Sequence, residues 1–418
     1  EFRRVLFRSR PSRSDVTADA SGSLKVLATH QVSHGRMTYV VAVRVLICPD
    51  SFTGTMTAAE ASRAMALGWS AARPHDLIVE LAVSDGGPGF VSALHHSLGG
   101  EVKETPVSDP LGREVTAQWL HSADTAYIES AAACGLLLLD ESERNPLFTS
   151  TYGVGLLVDA AIEHGVRRII IGLGGSATND AGAGFLAALG ARATDAAGHD
   201  VTHVLANGGA GLSDIAHLDL SDVFNRISGV QIEVATDVDN PLLGIRGATN
   251  TFAPQKGADT ASVMRLEGSL EHFAALLGKR PDGKTAALAL GAGAAGGLGC
   301  ALIHLGAIRT SGIERILELS GFTEEVREAD LILTGEGSFD WQSLSGKAIA
   351  GIGRAAATRG VPVVVLAGRV DLGRREWQSI GIHGVYSMSD MVDEQTSVLA
   401  PERTLSNCTE RVARTWGR

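Results

Sequence analysis

The chain has 418 residues, of which 44% are hydrophobic and 20% charged, with 50 glycines and a formal net charge of −11. That length admits two or more domains and a large core, and the acidic balance excludes a broad nucleic-acid-binding face. No apolar run reaches the roughly 18 residues of a membrane helix. Cys48, Cys134, Cys300 and Cys408 form no C-x-x-C pair and read as thiols of a reducing, cytoplasmic compartment.

Residues 1–36 are rich in Arg and Ser and lack the apolar stretch of a secretory signal. They read as a transit-peptide-like or non-native extension, with Met37 as a candidate start and disorder expected through residue 38. Val43 to Cys48 then reads as a buried parallel strand leaving through Pro49-Asp50-Ser51-Phe52. Thr57 to Ala72 reads as a helix, with Thr57 and Glu60 in capping-box spacing. A second strand, Leu77 to Val83, leads into Ser84-Asp85-Gly86-Gly87-Pro88-Gly89 and a helix to about Leu98. After Gly99-Gly100 the pattern changes to short alternating strands at Val102–Val107, Glu114–Leu120 and Thr125–Ser130.

The most informative stretch follows the apolar run Arg168 to Ile171: Gly172-Leu173-Gly174-Gly175-Ser176-Ala177-Thr178-Asn179-Asp180, with a helix-like segment, Ala181 to Leu189, behind it. A glycine turn between strand and helix frees N–H groups where the helix dipole favours an anion. Ser176 and Thr178 add hydroxyls, and Asp180 stands as an acid beside that anion. Further on, Gln231–Ala235, Asp330–Thr334, Val361–Leu366 and Gly384–Met388 read as strands, and about Gly346–Arg359 as a helix. The order predicts an α/β fold with two α/β domains. A Rossmann-like domain takes residues 39–100 and 286–418 from both chain ends, and a second domain, 101–285, is inserted between them. Ligands of such folds gather beyond the carboxyl ends of strands and in clefts between domains.

A P-loop is absent: Gly346-Lys347 is followed by Ala348, and position 341 is Trp. Gly291-Ala292-Gly293-Ala294-Ala295-Gly296 satisfies G-x-G-x-x-G, which admits a nicotinamide-dependent oxidoreductase of a small hydroxy acid. The helical Ile313–Glu318 behind it lacks the strand-end acid that dinucleotide folds require. Acids at turn positions (Asp50, Asp85, Asp180, Asp237, Asp239, Glu336, Asp340) suit a Mg²⁺–nucleotide site. Lys347 and Lys256, each flanked by Gly, together with Arg144 and Arg369, suit phosphate charge.

Eight blocks in one order carry a resemblance. They are Pro49–Gly54, Ser84–Gly87, Arg144–Gly155, Gly174–Asp180, Asp237–Leu242, Pro254–Ala258, Gly291–Gly299, and Thr334–Gly337 with Asp340 and Gly346-Lys347. Over about residues 44 to 418 the chain resembles the bacterial glycerate kinase family, the two-domain type without a P-loop. The resemblance implies ATP-dependent phosphorylation of glycerate to a phosphoglycerate, at the 2-hydroxyl, with ATP and Mg²⁺ as cofactors. It implies glycerate and ATP as the partners, neither nucleic acid nor membrane, and is compatible with a homodimer. On this reading Asp180, Asp237 and Lys347 are catalytic, with Asp237 the alternative to Asp180 as base. Asp50, Ser51, Arg144, Gly174, Gly175, Ser176, Thr178, Asn179, Lys256 and Glu336 bind substrate or phosphate, and Asp85 and Asp239 bind the metal. Thr53, Pro88 and Ser338 stand where the family commonly has Lys, Glu and Arg. These departures motivate a second alternative, a catalytically degenerate ligand-binding relative.

Overall fold

The computed structural model describes residues 29–33, 36–40, 42–52, 54–84, 86–280, 282–344, 348–392, 397 and 399–416. Strands β1 (Thr29–Ser33) and β2 (Arg36–Val40) pair antiparallel in a small unit of their own, where the sequence suggests no ordered element. The rest of that extension, residues 1–28, 34 and 35, lies outside the described residues. Residues 43–418 form a second compact unit.

In this unit the strands follow in chain order. They are β3 (Arg44–Ile47), β4 (Leu77–Glu80), β5 (Glu101–Ser108), β6 (Glu114–Ser122), β7 (Thr125–Glu129), β8 (Arg168–Gly172), β9 (Arg192–Thr194), β10 (His217–Asp219), β11 (Gln231–Ala235), β12 (Ile308–Thr310), β13 (Leu331–Phe339), β14 (Val363–Val370) and β15 (Gly384–Ser387). The first sheet is wholly parallel in the order β15-β14-β13-β3-β4. The second runs β12-β11-β8-β7-β6-β5, parallel from β12 to β7 and antiparallel through β6 and β5. The α/β reading, with both chain ends joined in one sheet, matches this topology. The expected boundary at 285 does not: β12 pairs with β11, and the helix Leu298–His304 packs in the core of the second sheet. Segment 286–310 therefore belongs with the second sheet.

The strands are apolar because both faces are covered, as parallel sheets require. In the first sheet Val45, Ile47, Leu331, Leu333, Val364 and Leu366 face the helices Ala58–Ala72 and Pro401–Thr415, packing on Met65, Trp69 and Leu405. The alternate residues Leu46, Ile332, Val363 and Val365 face a core that also holds Leu120, Tyr127, Ile170 and Ala235 of the second sheet. The period-2 alternation of a strand thus assigns each side chain to one of two cores. The opposite face of the second sheet, with Ile128, Ile169, Ile171 and Val234, packs on Val154, Phe185 and Phe273. The helix Ala58–Ala72 begins as its sequence predicts: Thr57 Oγ1 accepts the Glu60 N–H and Glu60 Oε2 accepts the Thr57 N–H, a complete capping box.

The turn after β4 meets the turn after β8 backbone to backbone. A Cβ on Gly172 would lie 2.5 Å from the Gly86 carbonyl oxygen, and one on Gly174 would lie 2.6 Å from Gly87 Cα. No side chain fits between them, so these glycines serve close approach and not merely turn flexibility. Gly172→Ala should therefore cost about 1–3 kcal/mol by overpacking, read as a lower denaturant midpoint with an unchanged slope. A midpoint equal to wild type would mean that the joint yields freely.

Candidate active site

A cavity of about 880 Å³ opens beside this joint. Its first wall comes from the carboxyl ends of the first sheet: Asp50, Ser51 and Phe52 after β3, Glu336 to Ser338 in β13, Asp340, Arg369 and Ser389. The second wall comes from the second sheet: Leu173 to Ser176 after β8, Thr236 to Val238 after β11, with Arg144, Gln255 and Lys256. The location is the one expected of parallel α/β sheets. Asp50 and Glu336 are neighbours, because the Asp50 N–H donates to the Gly335 carbonyl at 2.9 Å, and Glu336 is only 9% exposed.

Lys256 forms the floor. It is 3% exposed, and its Nζ donates to Ser176 Oγ at 2.9 Å and to the Thr178 carbonyl at 2.7 Å. Burial pulls its pKa down to about 8, against the opposing pull of Cys134 and Asp180 nearby. The short 3₁₀ turn Pro254–Lys256, with Pro at its start, aims the side chain. The Thr178 carbonyl is reachable because the loop behind it folds back through left-handed conformations at Ala295, Gly296 and Gly297. A Cβ on Gly296 would lie 1.8 Å from that oxygen. The G-x-G-x-x-G match thus serves to pack this loop under the glycine turn. A 3₁₀ segment, Ala286–Leu288, precedes it in place of the strand that a dinucleotide fingerprint demands, so the oxidoreductase reading loses its motif.

Nine of the predicted site residues line the cavity: Asp50, Ser51, Arg144, Gly174, Gly175, Ser176, Asp237, Lys256 and Glu336. Asp85 and Lys347, with Thr53, lie outside the described residues. Asp239 does not join the site. It is exposed and paired with Arg309, Nη2 to Oδ1 at 2.6 Å. Thr178 and Asn179 are fully buried; Thr178 contributes its carbonyl to Lys256, and Asn179 Nδ2 donates to Thr249 Oγ1 at 3.0 Å.

Asp180 is the main correction. It is fully buried and absent from the cavity wall. Its carboxylate accepts from Thr151 N–H and Oγ1 at 2.8 Å each, from Gly182 N–H at 3.0 Å and from Gly184 N–H at 3.2 Å. The helix behind the glycine turn is also shorter than expected, Ala183–Ala188, and its first N–H groups are spent on this carboxylate and on Thr151. The anion that the helix start favours is the protein's own side chain. Burial raises the Asp180 pKa, and the Thr151, Gly182 and Gly184 hydrogen bonds oppose the rise.

Asp237 does face the cavity. Its Oδ1 accepts from Ser311 Oγ at 2.6 Å and its Oδ2 from the Ile313 N–H at 3.0 Å, which fixes it at the start of the helix Gly312–Leu319. Glu129, at the end of β7, is a residue the sequence reading missed. Its Oε2 accepts the Gly89 N–H at 2.9 Å at the start of the helix Phe90–Leu98. Burial lifts its pKa to about 7 despite the Gly89, Val91 and Phe90 N–H groups. The available signal was an acid closing an apolar strand, Tyr127-Ile128-Glu129.

The family model for the glycerate kinase family matches residues 45–417. The chain belongs to that family. It is 41% identical over 353 residues to a glycerate kinase of Bacillus subtilis, covering 84% of this chain and 90% of that protein. It is 39% identical over 351 residues to the glycerate 2-kinase of Escherichia coli K12, covering 83% and 90%. The crystal structure of a protein described as a "putative glycerate kinase 2" from Salmonella typhimurium LT2 superposes with a TM-score of 0.72 at 36% identity, covering 90% of this chain and 98% of that one. Among the described residues, no helix is long and apolar enough to cross a membrane.

Asp180 and Lys256 each make a separate prediction. Asp180→Asn keeps the size of the side chain but turns an NH₂ toward groups that all donate. It should lower unfolding stability by about 1–3 kcal/mol, and a full-stability variant that merely loses turnover would contradict the structural role. Lys256 is depressed from 10.5 to about 8. Its ammonium is therefore lost above about pH 8, while fold stability gains from this group between 8 and 10.5 because the neutral form suits the buried site. A pH profile of kcat/KM should fall through about pH 8 with no accompanying loss of melting temperature.

Proposed function

We propose that the cavity catalyses ATP-dependent transfer of a phosphoryl group to the 2-hydroxyl of glycerate. The observation that carries this reading is the buried Lys256 ammonium. It is pinned to the Gly174-Gly175-Ser176 turn through Ser176 Oγ, and it faces the Asp50 and Glu336 carboxylates across one cavity. Phosphoryl transfer needs mainly positioning and charge neutralisation, and this arrangement offers both.

Lys256 and Arg144 neutralise the phosphoryl oxygens at the wall that Gly174, Gly175 and Ser176 help to form. Asp237, oriented by Ser311 and Ile313, accepts the glycerate hydroxyl proton as the new O–P bond forms and the bond to the ADP leaving group breaks. Among the described residues, no group of three or more His, Cys, Asp or Glu could hold a metal by itself. The donor set suits Mg²⁺ that arrives with the nucleotide, since that ion is commonly held by one or two carboxylates plus phosphate oxygens. Asp50 and Glu336 would hold it, in place of the exposed Asp239, and Mg²⁺ would there offset charge on the transferred phosphoryl group. The name of the Escherichia coli relative, a glycerate 2-kinase, supports the choice of hydroxyl. The four free cysteines are all buried, which suits work in a reducing cytoplasm.

The direct assay supplies Mg·ATP and D-glycerate and identifies the product by ³¹P NMR. The expected product is 2-phosphoglycerate with one ADP per turnover; binding of both ligands without turnover would favour a degenerate relative. Asp237→Asn should lower kcat by about 10²-fold or more with little change in glycerate KM. A near-normal kcat would remove Asp237 as the proton acceptor.

A further inference from the structure

A second recess, of about 330 Å³, adjoins the main cavity and shares Ser51, Thr55, Pro88 and Leu137 with it. Its inner surface is made by Ala58, Ala82 and Ala93, which form a small buried cluster, and by Met56. These small side chains leave a slot between the starts of the helices Ala58–Ala72 and Phe90–Leu98. Among the described residues that line it, none is Lys, Arg or His, and Glu60 stands at its rim. A carboxylate or phosphate would find no cation there and one acid, so the recess is unsuited to glycerate or to the triphosphate. A neutral, flat ring with donor groups on its edge has the opposite preference, since apolar walls with few polar groups are what such ligands require.

Leu137, 66% exposed, lines both spaces, and a ring in the recess would cover apolar surface that otherwise meets water.

We infer that this recess takes the purine base of the phosphoryl donor, with the phosphates running past Ser51 and Thr55 into the main cavity. The inference rests on the kinase reading only in taking the ligand to be a phosphoryl donor; the recess itself is a base-binding site by its walls and charge. Glu60 accepts from an exocyclic amine, and its other duty, the capping box with Thr57, keeps it in place.

The test is photolabelling of the full chain with 2-azido-ADP, followed by peptide mapping. Label is expected within residues 51–60 or 88–98. Label at Arg369, Met388 or Ser389, which line the main cavity and not the recess, would overturn the inference. Ser92 is exposed and lines the recess, so Ser92→Phe fills the slot without disturbing the core. This variant should cut labelling at least fivefold and raise the KM for ATP at least fivefold, with the KM for glycerate within twofold of wild type. Unchanged labelling, or a shift in the glycerate KM alone, would also overturn it. Label in the recess of a protein that leaves glycerate untouched would sink the kinase reading and keep the base site; turnover with label elsewhere would do the reverse.

Discussion

Everything at the site depends on two turns that touch through bare backbone. Gly86 and Gly87 belong to the connection after β4, and Gly172 and Gly174 to the end of β8 and the turn beyond. Because neither side carries a Cβ at the contact, the carboxyl ends of the two sheets come close enough to wall one cavity. Asp50 and Glu336 on one wall then face the same space as Arg144 and Lys256 on the other. Glu129 reinforces the joint: it sits in register with Gly172 and holds the start of the helix that follows Gly89.

The same close packing lets the buried polar groups under the glycine turn form one network that supports the cavity wall. Lys256 leans on Ser176 and on the Thr178 carbonyl, which the Gly296 loop backs. Asp180 is satisfied by Thr151, Gly182 and Gly184. A buried charge is tolerable only with such partners. Asp180 therefore fixes the turn, and the turn presents Ser176 and the lysine to the cavity.

Much of this was legible in the sequence. The apolar strands, the Thr57 capping box and the motifs at the carboxyl ends of strands are local patterns, and they sit where the patterns put them. The limits were non-local. Strand β12 has three residues, Ile308–Thr310, too few for a periodicity, so the boundary expected at 285 falls short of it. The role of Asp180 depends on Thr151, 29 residues away, and the exclusion of Asp239 depends on Arg309, 70 residues away. No motif reports such partners. A glycine-rich turn followed by an acid looks the same whether the acid serves a ligand or fills the helix start itself.

Lys256 carries one further consequence. A lysine whose pKa sits near 8 is partly neutral in mildly alkaline solution. An anion bound beside it favours the charged form and raises that pKa again. Anion binding at this site is thus coupled to proton uptake from the solvent. The heat of binding near pH 8 then includes the ionisation enthalpy of the buffer, so the same complex gives different calorimetric enthalpies in HEPES and in Tris.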